Sequence, residues 1–276
     1  RADASTDMLV LCSPGALINL YDEDTAFKLL GAMAEAAGNQ KGILGFLELG
    51  AGEGWSRVGE RINTWIRHIL RWNVTDDSEK YLMIVGNDTV VPFALPNDPF
   101  GGTCPSDTYY ADINRDMRMD LCVGRVMAWN VDDMIRLMNT TSIDAGNNVL
   151  ILRDSDIKAG DGRTNDLNDW LNLINGTVTS GTDATVTIRS AAHVTINPNE
   201  VNSSKAIIIY GGHGEHNQFS SVDPDPGDTN NNNRFDSAEV PANVGAVVIT
   251  APCCLHASAM ASCEGCGAAT PYRDNI

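Results

Sequence analysis

Basic residues are scarce in this chain. Nineteen Lys and Arg stand against 36 Asp and Glu, leaving a formal net charge of −17 over 276 residues. Nucleic acid is thereby excluded as a partner, because phosphate backbones are held by basic surfaces. The acid surplus suits metal cations, a saline or extracellular setting, or basic substrates. Long apolar runs are missing too: none approaches the ~20 residues of a membrane-spanning helix. No signal peptide is visible and Arg1 is not an initiator Met, so the N-terminus reads as processed or engineered. No repeat of solenoid period occurs. An evenly spaced disulfide framework is also lacking. The cysteines number seven (Cys12, Cys104, Cys122, Cys253, Cys254, Cys263 and Cys266), so at least one thiol stays unpaired within the chain. Cys12 and Cys122 lie in apolar runs and are expected to pack as small hydrophobes.

What is present alternates between two periods. Met8–Cys12 reads as a buried strand. A helix is expected over Asp24–Ala37, with Phe27, Leu30, Met33, Ala34 and Ala37 on its inner face, Asp22 and Asp24 at its start and Gly38 as a stop. Gly42–Leu49 is a second strand. Ser56 is placed to cap a helix reaching Trp72, with Val58, Ile62, Trp65, Ile66 and Ile69 facing inward. Tyr81–Val85 is a third strand. This alternation implies βαβ units and a parallel sheet. Pro92–Thr108 is irregular, Leu121–Val126 is a short apolar run and Val131–Met138 a helix. The polar stretch Asn139–Asn148 divides an N-terminal α/β sub-domain, 1–143, from a second one, 144–276. Val149–Leu152 restarts a strand, followed by a helix over Asp166–Ile174 and a strand over Thr185–Ile188. Trp65, Trp72 and Trp170 are expected to pack rather than bind.

Two later segments carry the chemistry. Ala206–Tyr210 and Ala246–Thr250 are short and rich in β-branched residues, as strands buried on both faces are. The first runs into Gly212-His213-Gly214, the second into Cys253-Cys254. Side chains just past the carboxyl ends of neighbouring strands converge on one crevice in an open α/β sheet. An imidazole and a thiol would meet there, and a cysteine nucleophile needs such a base or counter-ion to be held as thiolate.

Three blocks, taken with that pattern, resemble the gingipain family of cysteine peptidases, relatives of the caspases and legumains. They are Ile207–Gly214 with Val247–Cys254; Leu82–Gly86 with Val91-Pro92; and Ser106-Asp-Thr-Tyr-Tyr-Ala-Asp112 with Asp120-Leu-Cys-Val-Gly-Arg125. The resemblance implies a caspase-like or gingipain-like α/β sandwich with mainly parallel sheets flanked by helices. It implies a cysteine endopeptidase acting on protein or peptide substrates, secreted or at the cell surface, with Arg or Lys preferred at P1. His213 would be the base and Gly214 would lend its amide to an oxyanion hole. Cys254 fits the family's small–Cys–x–x–small pattern better than Cys253, since Ala257 follows it by three. Both remain open as nucleophile. In the family a helix and a strand follow the nucleophile; here the sequence ends at Ile276, which implies either a second, processed fragment of the same precursor or a sequence cut short. No third triad member is evident. Asp107 is a candidate to orient His213, and His216 and His256 are rim residues. Cys263-Glu-Gly-Cys266, with Cys253, Cys254 and His256, also reads as zinc, as a disulfide or as a redox pair.

Asp228–Glu239 has the spacing of an EF-hand loop. Asp228, Asn230, Asn232, Asp236 and Glu239 supply side-chain oxygens, Arg234 its carbonyl, and Asn233 replaces the usual glycine. Two Asn in place of Asp point to weak affinity in a calcium-rich milieu. Asp112, Asn114, Asp116, the Arg118 carbonyl and Asp120 repeat the pattern without the final Glu; a turn capped by Asp side chains explains them equally. Calcium is the expected cofactor. The rival to the enzyme is a non-catalytic calcium-binding scaffold or adhesion module derived from a peptidase. Sequons at Asn73, Asn87, Asn139, Asn175 and Asn202 decide nothing in so Asn-rich a chain.

Overall fold

The structure, a computed structural model, describes residues 6–50, 53–72, 80–96, 106–116, 118–128, 130–139, 148–154, 172–180, 184–191, 205–211, 214–215, 218–220, 234–236 and 247–250. The chain divides into two compact units, Arg1–Thr141 and Ser142–Ile276.

The first unit is wound around four parallel strands: β1 (Met8–Cys12), β2 (Gly42–Phe46), β3 (Tyr81–Val85) and β4 (Cys122–Val126), in the order β2-β1-β3-β4. Four residues of β1, Leu9 to Cys12, have no exposed surface, as a central strand of a doubly covered sheet requires. Two helices lie between β1 and β2: α1 (Pro14–Leu20) and α2 (Glu23–Asn39). The chain then reverses direction across β1 to reach β3. Right-handed crossovers going opposite ways put their helices on opposite faces. The reversal leaves a switch point between β1 and β3.

α2 starts where its capping chemistry says it should. Asp22 Oδ1 accepts from the Thr25 amide at 2.9 Å, and Glu23 and Asp24 follow in the first turn. The inner face keeps Met33, Ala37 and, in part, Leu30 from the expected set, but not Phe27 or Ala34. Ala26, Leu29, Ala32, Met33, Ala36 and Ala37 are buried, whereas Phe27 is 56% exposed and Ala34 also faces out. Small residues lie against the sheet because they let the helix approach closely, and the large Phe27 is left outside. Gly38 does not stop the helix, which runs to Asn39. α1 was not anticipated; Pro14 sets its first residue and Leu17 is its buried anchor.

The next helix is α3 (Trp55–Thr64), and Gly54, not Ser56, is its cap. It continues as a π-helical segment, Trp65–Leu70, closed by Arg71 at φ 55°. A π turn holds more residues, so a position four on, rather than three, returns to the inner face. Leu70 is therefore buried beside Ile66, and Ile69 is 46% exposed, against the sequence expectation. Trp72 is buried and Trp65 packs partly against the core. A short α4 (Thr108–Ala111) precedes β4, and α5 (Val131–Asn139) follows it and packs on α2.

The second unit repeats this winding. β5 (Asn148–Asp154), β6 (Thr185–Ala191), β7 (Lys205–Gly211) and β11 (Val247–Thr250) form a parallel sheet in the order β11-β7-β5-β6. Taken by rank along the chain, second, first, third and fourth are neighbours in both sheets. Ile151 and Ile209 are buried in its core beside Val149. Residues 172–180 are helical, overlapping the expected 166–174, whose first part lies outside the described residues. Three short strands, β8 (Gly214–Glu215), β9 (Gln218–Ser220) and β10 (Arg234–Asp236), make an antiparallel sheet.

Candidate active site

β7 and β11 are hydrogen-bonded parallel neighbours, with Ile207↔Val247, Ile208↔Val248, Ile209↔Ile249 and Tyr210↔Thr250 in register. These are the two runs that lead into His213 and into Cys253-Cys254. His213, Cys253, Cys254, Cys263 and Cys266 themselves lie outside the described residues, as do His216 and His256. Gly214 is described: it opens β8 and pairs with Phe219 of β9. Of the Asp228–Glu239 loop, Arg234 to Asp236 are described, as β10, paired with β9 through Phe235↔Phe219. Asp228, Asn230, Asn232 and Glu239 lie outside.

Asp107 does not serve as a free acid. Its two carboxylate oxygens accept from Arg125 Nε and Nη2 at 2.7 and 2.6 Å. The Arg125 side chain is 4% exposed and the Asp107 side chain 13%. Arg125 Nη1 donates further to the carbonyls of Gly86 (2.9 Å) and Val91 (2.7 Å), and its guanidinium lies over Phe93 at 4.1 Å. The fork geometry of a guanidinium makes this set possible; an ammonium has no such planar array. Both oxygens are thus engaged by Arg125, and His213, which Asp107 was a candidate to orient, lies outside the described residues. The cluster ties the segment after β3 to β4. Tyr110 adds a second tie, its hydroxyl donating to the Pro92 carbonyl at 2.6 Å. Burial pushes the Tyr110 pKa up, so this donor stays protonated. The sequence blocks around Ser106–Asp112 and Asp120–Arg125 were visible; what Arg125 does was not, because its partners are 18 and more residues away.

The Asp112–Asp120 turn satisfies itself. Asp112 Oδ1 accepts from the amides of Arg115 (2.7 Å) and Asp116 (3.1 Å), and Asn114 Oδ1 from that of Asp116. Asp120 is 1% exposed; its Oδ2 takes the amides of Ile113 and Asn114, and its Oδ1 the Asn114 side-chain amide. Among the described residues no three His, Cys, Asp or Glu gather as a cation cluster. Asp120, at position nine of the spacing, accepts from two backbone amides and from the Asn114 side-chain amide, the bonding of a turn capped by Asp side chains. Cys12 is buried as expected, and desolvation pushes its pKa up to about 12. Cys122 is exposed, contrary to expectation, because β4 is the edge of its sheet. Among the described residues no helix is long and apolar enough to cross a membrane.

The sequence matches the family model for peptidase family C25 over residues 53–268. Nothing among curated proteins matches. The fold is similar to that of gingipain R (RgpB), an Arg-specific cysteine proteinase, with TM-score 0.56 and 12% identity over 92% of this chain and 56% of that one. A second solved structure, described only as a protease, gives TM-score 0.54 and 13% identity over 91% of this chain and 53% of that one. A complex of the Porphyromonas gingivalis RgpB pro- and mature domains gives 0.51 and 15% over 78% and 49%. The chain therefore spans about half the length of the solved structures it resembles.

Proposed function

Because the chain belongs to peptidase family C25, we propose that it is a cysteine endopeptidase working through His213 and Cys254. One observation carries this: the strands leading to the two groups are partners in one parallel sheet, in register from Ile207↔Val247 to Tyr210↔Thr250. His213 follows Tyr210 by three positions in sequence; Cys253 and Cys254 follow Thr250 by three and four. In the proposed reaction the Cys254 thiolate attacks the peptide carbonyl. The amides of Gly214 and of Cys254 hold the oxyanion. His213 gives its proton to the leaving amine, and water then hydrolyses the thioester and returns the thiol. A basic P1 residue suits the acidity of the chain, and a processed fragment of the same precursor is a partner in this reading, which the likeness to the complex of RgpB pro- and mature domains supports. Calcium bound by Asp228, Asn230, Asn232, the Arg234 carbonyl, Asp236 and Glu239 would order the segment between the two catalytic strands. The setting for both is secreted or cell-surface.

The test is labelling with a chloromethyl ketone bearing Arg or Lys at P1, mapped by peptide mass spectrometry. Label on Cys254, lost in His213→Ala, is the expected result. Label on Cys253 instead moves the nucleophile by one residue. Mapping is needed because exposed Cys122 reacts with any general thiol reagent. A chain modified at neither Cys253 nor Cys254, and inert toward peptides, is the scaffold alternative.

A further inference from the structure

We propose that the first unit carries a binding crevice of its own, at the carboxyl ends of β1, β2 and β3, that takes a basic side chain of an extended peptide. This does not rest on the peptidase reading. The crevice holds about 750 Å³, and its walls include Ser13 after β1, Phe46 and Glu48 at the end of β2, Glu53 beyond them, and Thr89 and Pro92 after β3. It lies where the winding of the sheet reverses, the place at which open α/β sheets bind ligands. Its size is that of a small-molecule site, enough for one long side chain and adjoining backbone.

The walls are held, not incidental. On the β3 side the Pro92 carbonyl accepts from Tyr110 and the Val91 carbonyl from Arg125, while Thr89 donates its hydroxyl to Asn87 Oδ1 at 2.7 Å. On the β2 side Glu53 accepts from the Gly50 amide at 2.8 Å and from Arg61 at 2.9 Å, and Arg61 also donates to the Glu48 carbonyl.

Charge selects the occupant. Among the described residues, the charged side chains on the lining are Glu48 and Glu53, and none is basic. Glu53 is already engaged; the Gly50 amide and then Arg61 hold its carboxyl below the usual carboxylate range. Glu48 is exposed, and its carboxylate takes no partner among the described residues. On the same lining, Phe46 leaves 47% of its surface open. A free carboxylate and an open aromatic ring lining one crevice fit a guanidinium or ammonium on an aliphatic stem: the charge meets Glu48 and the stem or planar head lies on Phe46. The net charge of −17 raises the local concentration of basic peptides in the same direction.

The experiment uses the full chain with Cys253→Ala and Cys254→Ala, so that cleavage cannot consume the probe. A fluorescein-labelled hexapeptide with one central Arg is titrated by anisotropy against its citrulline twin, which keeps the shape and loses the charge. The Arg peptide is expected to bind about ten-fold more tightly, with Glu48→Gln and Phe46→Ala each weakening it about five-fold. Both substitutions are at exposed positions, and circular dichroism checks that they leave the fold intact. A photo-crosslinking version of the peptide should label residues 46–50 or 89–92. Equal binding of the two peptides, affinity unmoved in the Glu48→Gln/Phe46→Ala double variant, or crosslinks confined to the His213 segment would each overturn the proposal. Free arginine amide binding as tightly as the peptide would overturn the peptide as occupant.

Discussion

Arg125→Ala is the substitution that weighs most on the first unit. The side chain is 4% exposed and makes two charge-assisted bonds to Asp107 and two short ones to backbone carbonyls. Breaking a buried ion pair by removing one partner costs about 3–5 kcal/mol, because the other charge is left uncompensated. Leaving the Gly86 and Val91 carbonyls without donors adds to that; water entering the vacated space subtracts. We expect a loss of about 4 kcal/mol, a large share of the ~5–15 kcal/mol that holds a domain folded. Arg125→Lys keeps the charge but not the fork, and should cost about half as much. Urea unfolding followed by fluorescence is the assay, since Trp55, Trp65 and Trp72 all lie in this unit. The two units need separate transitions to be resolved before a single free energy is quoted. A double-mutant cycle with Asp107→Ala isolates the pair, and coupling above about 1 kcal/mol is expected. Loss below about 1 kcal/mol for Arg125→Ala, or additive single effects, would refute the clamp.

Other expectations follow from single positions. Gly86 has φ 109°, and a Cβ there would meet the Val90 side chain at 2.6 Å; Gly86→Ala should cost about 2–3 kcal/mol, and an unchanged Tm would contradict it. Disulfide-exchange reagents should modify Cys122 at once in the native protein and Cys12 only after unfolding; equal rates would show β1 to be open. The folded state holds the Cys12 proton more tightly, with pKa pushed from 9.0 to about 12 by burial. Its contribution is therefore complete below pH 9 and lost as pH rises from there toward 12. Tyr21 and Tyr110 are shifted the same way by burial, so the diagnostic is the difference between wild type and Cys12→Ala. If that difference is flat between pH 9 and 12, the thiol is not the cause. EGTA should lower Tm or peptidase activity if the Asp228 loop holds calcium, and Glu239→Gln should weaken the response; no effect of chelation on either quantity removes calcium from the proposal.

The main parallel strands were legible because their signals are local. Val10, Ile84, Ile151 and Ile208 belong to short β-branched runs between turn residues, and such runs declare a doubly buried strand without reference to the rest of the chain. Asp22 announced its helix the same way, through a cap to the Thr25 amide three residues on. The inner faces were less legible. Whether Phe27 or Ala26 meets the sheet depends on how near α2 can lie, and whether Ile69 or Leu70 turns inward depends on one wide turn.

The sequence by itself determined the runs that become β1, β2, β3, β5, β6, β7 and β11, and that the strands before His213 and before the Cys pair belong to one parallel sheet; it did not announce β8, β9 and β10. Three other things were decided only by the tertiary structure: the burial of Arg125 against Asp107, the exposure of Cys122 at a sheet edge, and the gathering of Ser13, Glu48 and Thr89 around one crevice. The reason is range. Hydrogen-bonding periodicity is written within a few residues, but partners for a buried charge, neighbours for an edge strand and walls for a crevice come from segments that meet only once the sheet has been wound.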